Sequence, residues 1–587
     1  MTRGARPPEY VYDVRRPKPE PLVPRRHRIG ISERIDFKGR VLTPISEDEV
    51  VEAVRFLKRE GVRSIAVCFL FSYLNPDHER RVKTLIAREY PEIHLTLSSD
   101  IHPEFREYER TCVTVLNAYV PPLIESYLSR LEMDIQGMGI KSGLHIMQSN
   151  GGLTTAQIAR GRPIATFFSG PSAGVIAGKF VAEQVGIDNI ITADMGGTSF
   201  EVSMIVGGKP QVTTEKDISL HPVKIPSLDI HTIGAGGGSI AWVDPGGILR
   251  VGPRSAGAFP GPACYGKGGE EPTTTDANLI LGRIDARSFL GGRVVIYPDK
   301  ARAAIREKIA EPLGMGVEEA AQGIITILNA KMADSIRALT VKQGYDARGF
   351  ALVVFGGAGP LHVVELAREM GISWTIIPRD PGTTSALGMT LPDITHDYMR
   401  TFISELEQLV PSKVEKIFSE LEERGKRDLE VAGIGRDNML LLRSADLRYM
   451  SQNFTLNLPL PVGEFDATAR NLLQGRFHQR HEAIYGLRFQ DEPIELVNLR
   501  LTAVGRLKDL RLPKAIPSPN SPGPIRKWER EVFFSDVGRW VKVRCPVYEY
   551  DGLRPGALSH GPAILEQENS TILVPPGFMG KSTVTII

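Results

Sequence analysis

The stretch Ile190–Pro210, IITADMGGTSFEVSMIVGGKP, decides the fold. Its apolar start, Asn189–Ala193, predicts a buried strand that runs directly into an acid, Asp194. Gly196-Gly197 then turn the chain tightly enough for backbone N–H groups to approach a ligand, and Thr198 and Ser199 add hydroxyls. Glu201–Val206 predicts a returning strand, and Gly207-Gly208 suits a two-residue hairpin turn. An acid, glycine N–H groups and hydroxyls at one strand end are the equipment for a metal-bound polyphosphate. Backbone donors hold the anion, and the carboxylate orients hydrated Mg²⁺. For the glycine pair alone, an ordinary β-turn with an Asx cap is the competing reading.

Further along, HTIGAGGGSIAWVDPGG (His231–Gly247) carries Gly234, Gly236, Gly237 and Gly238. Such density lets backbone pass close to a ligand. It is not a Walker A loop, because no Gly-Lys-Ser/Thr follows. VVFGGAGPLH (Val353–His362) reads as a strand, a turn through Gly356, Gly357 and Gly359, and a helix whose N-terminus faces whatever the turn contacts. The spacing is not that of a dinucleotide fingerprint. A flexible loop and a packing turn compete with ligand binding at these two sites. With Ser169-Gly170-Pro171-Ser172-Ala173-Gly174, these loops hold much of the glycine clustering in a chain of 587 residues with 58 Gly and 42 Pro. Each fits the edge of an α/β sheet where nucleotides bind.

The rest of the chain alternates helix and strand. Ser46–Gly61 predicts a helix with a Ser46/Glu49 capping box. Ser64–Leu70 predicts a strand, Asn75-Pro76 opens a helix, and His94–Ser98 predicts another strand. This strand–helix–strand order predicts a mostly parallel sheet. Glu109–Leu131 is a helix interrupted at Pro121-Pro122, Leu144–Gln148 a strand, Ser172–Val185 a helix and Glu318–Lys342 a long helix. After about residue 400, a charged helix at Ser412–Val431 precedes strands at Leu447–Leu458, Leu496–Val504, Val541–Tyr550 and Thr571–Val574. The domains read as 1–108, 109–400 and 401–587. Residues 1–28, with their prolines and basic residues, read as an extended surface segment.

Composition excludes several classes. Lys+Arg is 71 and Asp+Glu 69, so charge gives no reason to expect nucleic acid or an anionic membrane as partner. No apolar run approaches the roughly 20 residues of a membrane span. Cys68, Cys112, Cys264 and Cys545 lie far apart without a CxxC pair, which predicts neither a zinc ribbon nor a disulfide framework but a reducing cytoplasm. Three further residue groups are candidates. His231, two positions after Asp229, could hold a metal or be a structural histidine. Cys264 is a thiol without an identifiable catalytic partner. His478 and His481, with Glu482 nearby, could bind metal or lie on a solvated helix face.

Several longer stretches carry a family resemblance. EYERTCVTVLNAYVPPL (Glu107–Leu123), MQSNGGL (Met147–Leu153), SGPSAGV (Ser169–Val175), DMGGTSFEVS (Asp194–Ser203), HTIGAGGGSIA (His231–Ala241), GPACYGKGG (Gly261–Gly269), FGGAGPLH (Phe355–His362) and GPAILEQENSTILVPPG (Gly561–Gly577) occur in this order. The chain thereby resembles the hydantoinase A/5-oxoprolinase family, whose relatives include acetone and acetophenone carboxylase subunits.

The resemblance implies an α/β, actin/sugar-kinase/Hsp70-like ATPase core of two related halves, followed by a strand-rich α+β C-terminal domain. It puts the second phosphate motif at Asp194–Thr198 and the adenosine motif at Gly356–Pro360. The family's opening Asp-Gly-Gly-Thr-Phe-Thr-Asp loop is absent, so the first half is expected to be incomplete. Phe200-Glu201 stands where many members show Thr-Asp.

The implied cofactors are ATP and Mg²⁺ or another divalent metal. Asp194 and Glu201 are the expected catalytic acids, and Asp194 with His231 the expected metal ligands. Gly196, Gly197, Thr198, Ser199, Gly234, Gly236, Gly237, Gly356, Gly357 and Gly359 are expected to bind the nucleotide. The implied function is the A-type subunit of an ATP-dependent cyclic amide hydrolase, in a hetero-oligomer with a B-type subunit. The alternatives are a ketone carboxylase subunit, and a scaffold or one part of a split ATPase.

Overall fold

The apolar run ahead of Asp194 forms the central strand of a sheet. The computed structural model describes residues 20–214, 216–461, 463–507, 514–515, 524–536, 539–582 and 585–586. The expected extended segment therefore lies outside the described residues up to residue 19. The described residues of Gly170–Gln211, Leu228–Leu391 and Asp509–Ile587 form one unit, and those of Met1–Ser169, Val212–Ser227 and Pro392–Lys508 another.

The first of these units is built on strands β1 (Ile190–Met195), β2 (Phe200–Val206), β3 (Ile230–Ile233), β4 (Ala351–Phe355) and β5 (Thr375–Ile376). Their order is β3-β2-β1-β4-β5. β1, β2 and β3 pair antiparallel, whereas β4 pairs parallel with β1 and β5. The sheet is thus mixed rather than mostly parallel, because tight turns join its first strands. Gly207 and Gly208, at φ 55° and 71°, supply the left-handed conformations of a hairpin turn.

Both faces of this sheet are buried, which explains why its strands read as continuous apolar runs. Ile191, Ala193, Met195, Val202, Leu352 and Val354 pack with Ile324, Leu328, Met332 and Ile336. Those four belong to helix Val317–Lys342. On the other face, Ile190, Ile205, Val353 and Phe355 pack with Val175 and Ala182 of helix α1 (Ser169–Gln184). Here the expected Ser169–Gly174 loop is helix instead. Its glycines serve packing: a β-carbon at Gly174 would lie 2.8 Å from Phe355 Cε2, and one at Gly178 would lie 2.5 Å from Thr192 Cγ2.

A second sheet in this unit has the order β6 (Arg526–Asp536), β7 (Arg539–Glu549), β8 (Ala563–Glu566) and β9 (Thr571–Val574). Phe534, Val547, Ile564 and Leu573 form its core with Leu361.

The other unit centres on a six-stranded, largely antiparallel sheet. Its order is Leu456–Pro459, Met439–Tyr449, Ile494–Gly505, Ile394–Glu405, Leu153–Thr155 and His145–Met147. The expected single strand Leu447–Leu458 is two strands, because the chain reverses after Tyr449 through Ser451 at φ 74°. Helix Pro411–Val431 lies close enough to the sheet that a β-carbon at Gly425 would be 2.9 Å from Ala503 Cβ. The MQSNGG turn is structural: Gln148 Nε2 donates to the Thr395 carbonyl (2.7 Å) and Asn150 Nδ2 to Asp397 Oδ2 (2.7 Å). Strands Ser64–Val67 and His94–Leu97 pair parallel and pack with helices Glu47–Arg59 and Asp77–Glu89. Ser46 caps the first of these by position, but Glu49 accepts from the Ser32 N–H instead of closing a capping box.

His478 and His481 do not line a solvated face. His478 Nδ1 bonds to Tyr449 Oη at 2.7 Å, and the buried His481 holds the Leu487 carbonyl at 2.7 Å. Among the described residues, no helix is long and apolar enough to cross a membrane.

The close helix–sheet approach has a measurable consequence. Gly178→Val should lower stability by about 1–3 kcal/mol through overpacking. Gly170→Ala, at a helical position with nothing within 4 Å, should be neutral or slightly stabilising. Thermal unfolding of both variants checks this; equal melting temperatures would remove the packing role assigned to Gly178.

Candidate active site

Antiparallel pairing puts Asp194 of β1 directly opposite Glu201 of β2. Residues opposite in register share a face, so the two carboxylates point the same way. Ser199 Oγ donates to Glu201 Oε1 at 2.6 Å, and Ser385 Oγ donates to Asp194 Oδ2 at 3.3 Å. Burial, and then the neighbouring Glu201 carboxylate, push Asp194 up to about 6, with Ser385 opposing. Burial also raises Glu201 against the hydroxyl of Ser199. Two half-buried carboxylates that resist ionising side by side form a donor set for a hard cation.

Three glycine loops converge on this pair. The Gly356 turn at the end of β4 has φ 83°, and a β-carbon there would lie 2.4 Å from Asp194 Oδ1. The Ala358 N–H then donates to the Met195 carbonyl at 3.0 Å. From the loop after β3, Gly237 N–H donates to the Gly196 carbonyl (3.0 Å) and Gly238 N–H to the Gly197 carbonyl (2.6 Å). A β-carbon at Gly236 would lie 2.7 Å from Thr198 N.

The predicted nucleotide-binding residues therefore divide. Gly197, Thr198 and Gly357 are exposed, and Gly196, Ser199, Gly234 and Gly356 are half-buried beside them. Gly236, Gly237 and Gly359 are buried and pack loop against loop. Gly236 N–H is already committed to Ser239 Oγ at 2.8 Å. The loop is thus pinned rather than flexible, with the Gly196–Ser199 turn in front of it. The hydroxyl of Ser199 serves Glu201.

His231 is not brought to Asp194. It pairs with Val202, whereas Thr232 pairs with Glu201. One residue of offset turns a strand side chain to the opposite face, so His231 and Asp194 lie on opposite sides of the sheet. His231 Nε2 instead lies 3.9 Å from Asp229 Oδ1. Among the described residues, no group of three or more His, Cys, Asp or Glu could hold a metal. The Asp194–Glu201 pair still fits Mg²⁺, which is commonly held by one or two carboxylates with water and phosphate completing its shell.

Other candidates have structural surroundings. Cys264 is buried, its N–H donates to Asp276 Oδ1 at 2.7 Å, and burial followed by Asp276 pushes its thiol far up. His362 is held by Asn329 at 2.8 Å, and burial brings it down to about 3, so it is neutral. Ser385 was missed by sequence reasoning. Its only local signal is the Pro381-Gly382 turn ahead of it, whose Pro381 carbonyl accepts from Gly356 N–H at 2.8 Å.

The raised Asp194 makes a pH-dependent prediction. Its ordinary value is 3.8, so the folded chain holds this proton more tightly than the unfolded chain does. Stability from this group is therefore present at low pH and is lost as pH rises through about 4 to 6. At neutral pH the charge costs on the order of 3 kcal/mol. Asp194→Asn should raise the melting temperature of the metal-free chain at pH 7.5 and barely change it at pH 4. The same shift at both pH values would contradict the assignment.

Comparisons with known proteins agree with this architecture. The hydantoinase/oxoprolinase family profile matches residues 110–398, with the family's N-terminal region at 1–90 and C-terminal domain at 404–582. An uncharacterized protein of Methanocaldococcus jannaschii is 39% identical over 97% of this chain and 83% of its own. The caprolactamase subunit alpha of Pseudomonas jessenii is 37% identical over 97% of this chain and 82% of its own. The crystal structure of the ATP-dependent caprolactamase from that organism superposes with a TM-score of 0.86, at 37% identity, over 97% of this chain and 83% of that one. The nucleotide-free structure of acetone carboxylase gives a TM-score of 0.75 at 27% identity, over 95% and 81%. With the carboxylate pair and its glycine loops in the positions that the matched motifs occupy, the chain belongs to the hydantoinase/oxoprolinase family.

Proposed function

We propose that this chain is the ATP-binding, A-type subunit of an enzyme that hydrolyses cyclic amides. The observation that carries the reading is the Asp194–Glu201 pair, set beside the exposed Gly197–Thr198 turn and the Gly356–Gly357 turn. The β3-β2-β1-β4-β5 order, antiparallel and then parallel, supports an actin/sugar-kinase/Hsp70-like core.

An amide ring resists water because resonance stabilises it. Bound ATP supplies the phosphoryl group that activates the amide oxygen, and Mg²⁺ supplies positive charge beside it. In this reading Asp194 holds and orients the hydrated cation, and Glu201 adds a second negative charge. Backbone N–H groups of Gly197 and Thr198 hold phosphate oxygens. Gly356 and Gly357 let the nucleotide approach the backbone. Positioning and electrostatics supply most of the rate gain.

The caprolactamase relative is itself a subunit, which supports a B-type companion in a hetero-oligomer. Four free thiols support a reducing compartment, the cytoplasm. The same loops suit a carboxylase that phosphorylates an enolate or bicarbonate. Greater likeness to caprolactamase than to acetone carboxylase, 37% against 27% identity, favours the amide.

The test is ADP release by the chain with its companion subunit, offered caprolactam, hydantoin, 5-oxoproline, or acetone with bicarbonate. Turnover should rise with a cyclic amide, and Asp194→Asn should lower it about 100-fold or more. Turnover that needs ketone and bicarbonate, with none on any cyclic amide, would overturn the proposal.

A further inference from the structure

Within the chain's buried polar groups, four atoms without a hydrogen-bond partner fall in one short stretch. They are Glu566 Oε2, Gln567 Oε1, Asn569 Oδ1 and Ser570 Oγ. A buried polar atom left unpaired costs about 1–3 kcal/mol, so native folds rarely gather several together unless something else pairs with them. The stretch joins β8 to β9 and belongs to the GPAILEQENSTILVPPG motif, which the catalytic reading leaves without a role.

These residues line a cavity of about 50 Å³, whose walls include Ile284, Phe289, Leu290, Leu361 and Gly357. Glu566 and Ser570 are 5% and 6% exposed. The other oxygen of Glu566 is held by Arg530. Gln567 Nε2 donates to Asp380 Oδ1 (2.9 Å) and Asp551 Oδ1 (2.8 Å), which fixes its Oε1 as the unpaired acceptor. Asn569 packs on the same turn as Gly357, where a β-carbon would lie 3.4 Å from the Asn569 carbonyl.

The chemistry of this cavity is specific. One carboxylate oxygen and two amide oxygens can only accept, and the hydroxyl can do either. A complementary ligand brings N–H donors on a flat edge, between apolar walls. The cavity is one residue from the carboxylate pair, because Gly356 touches Asp194 and the next residue, Gly357, lines the cavity. We infer that the Glu566–Ser570 turn recognises the edge of the nucleotide's base, with the Gln567 and Asn569 amide oxygens accepting from the amino group of adenine. A base with a carbonyl at that position would set oxygen against oxygen. The cavity takes the ring edge, not the whole nucleotide. This inference rests on the ATP reading above, and it makes Gln567, Asn569 and Ser570 determinants of base specificity.

Calorimetry on the full chain with its companion subunit tests it, using Mg-ADP and Mg-IDP, which differ at the base amino group. The wild type should prefer ADP by about tenfold or more. Asn569→Ala should reduce that preference to within about twofold while melting near the wild-type temperature. If Asn569→Ala does not fold, Ser570→Ala removes one hydroxyl from the same cavity and should also narrow the preference. Equal affinity of the wild type for ADP and IDP, or variants that keep the full preference, would overturn the inference and leave the ATP reading standing. A wild type that binds neither nucleotide would defeat the ATP reading and this inference with it.

Discussion

The backbone of Gly356 lies where no side chain fits. A β-carbon there would sit 2.4 Å from Asp194 Oδ1 and 2.4 Å from the Met195 carbonyl. The turn after β4 can therefore pass the end of β1 only as glycine, in a left-handed conformation that glycine adopts without strain. The rest of the site follows from this contact. It brings Ala358 N–H to Met195, aligns Gly357 with the cavity behind the turn, and leaves Asp194 facing Glu201. The Gly236–Gly238 loop repeats the device, gripping Gly196 and Gly197 by backbone hydrogen bonds. Segments more than 150 residues apart in sequence, β1 and the β4 turn, meet backbone to backbone.

Such closeness puts charge where the fold would not choose it. Asp194 and Glu201 share one face at the end of a sheet whose other positions are apolar on both sides. Burial raises both, and each makes the other harder to ionise. The tightly packed sheet and its two covering helices carry the stability that this pair gives up, a pattern expected where function needs a strained local arrangement.

A buried polar network supports the turn from behind. Glu365 accepts from Asn329 Nδ2 at 2.7 Å and pairs with Arg283, whose side chain is fully buried. His362, from the same motif as the glycines, is neutral and held by Asn329. Breaking one partner of such a set leaves an uncompensated buried charge, which is why these residues act as one support.

The sequence by itself determined the strand that ends in Asp194, the tight glycine turns, the hairpin at Gly207-Gly208, most helices within a few residues, and the family. Each is a local property, written in periodicity, turn chemistry or an unbroken motif. It did not determine which faces residues take or which distant segments meet. His231 was placed with Asp194 because glycine loops flanked both, yet a one-residue offset in strand register sends it to the other side of the sheet. The Ser169–Gly174 glycines resembled a ligand loop until helix α1 was seen pressed against Thr192 and Phe355. Ser385 and Asn569 carried no readable signal, since each matters only for what lies across from it. Tertiary structure decided these points because hydrogen-bond register and close packing are set by partners far away in the chain.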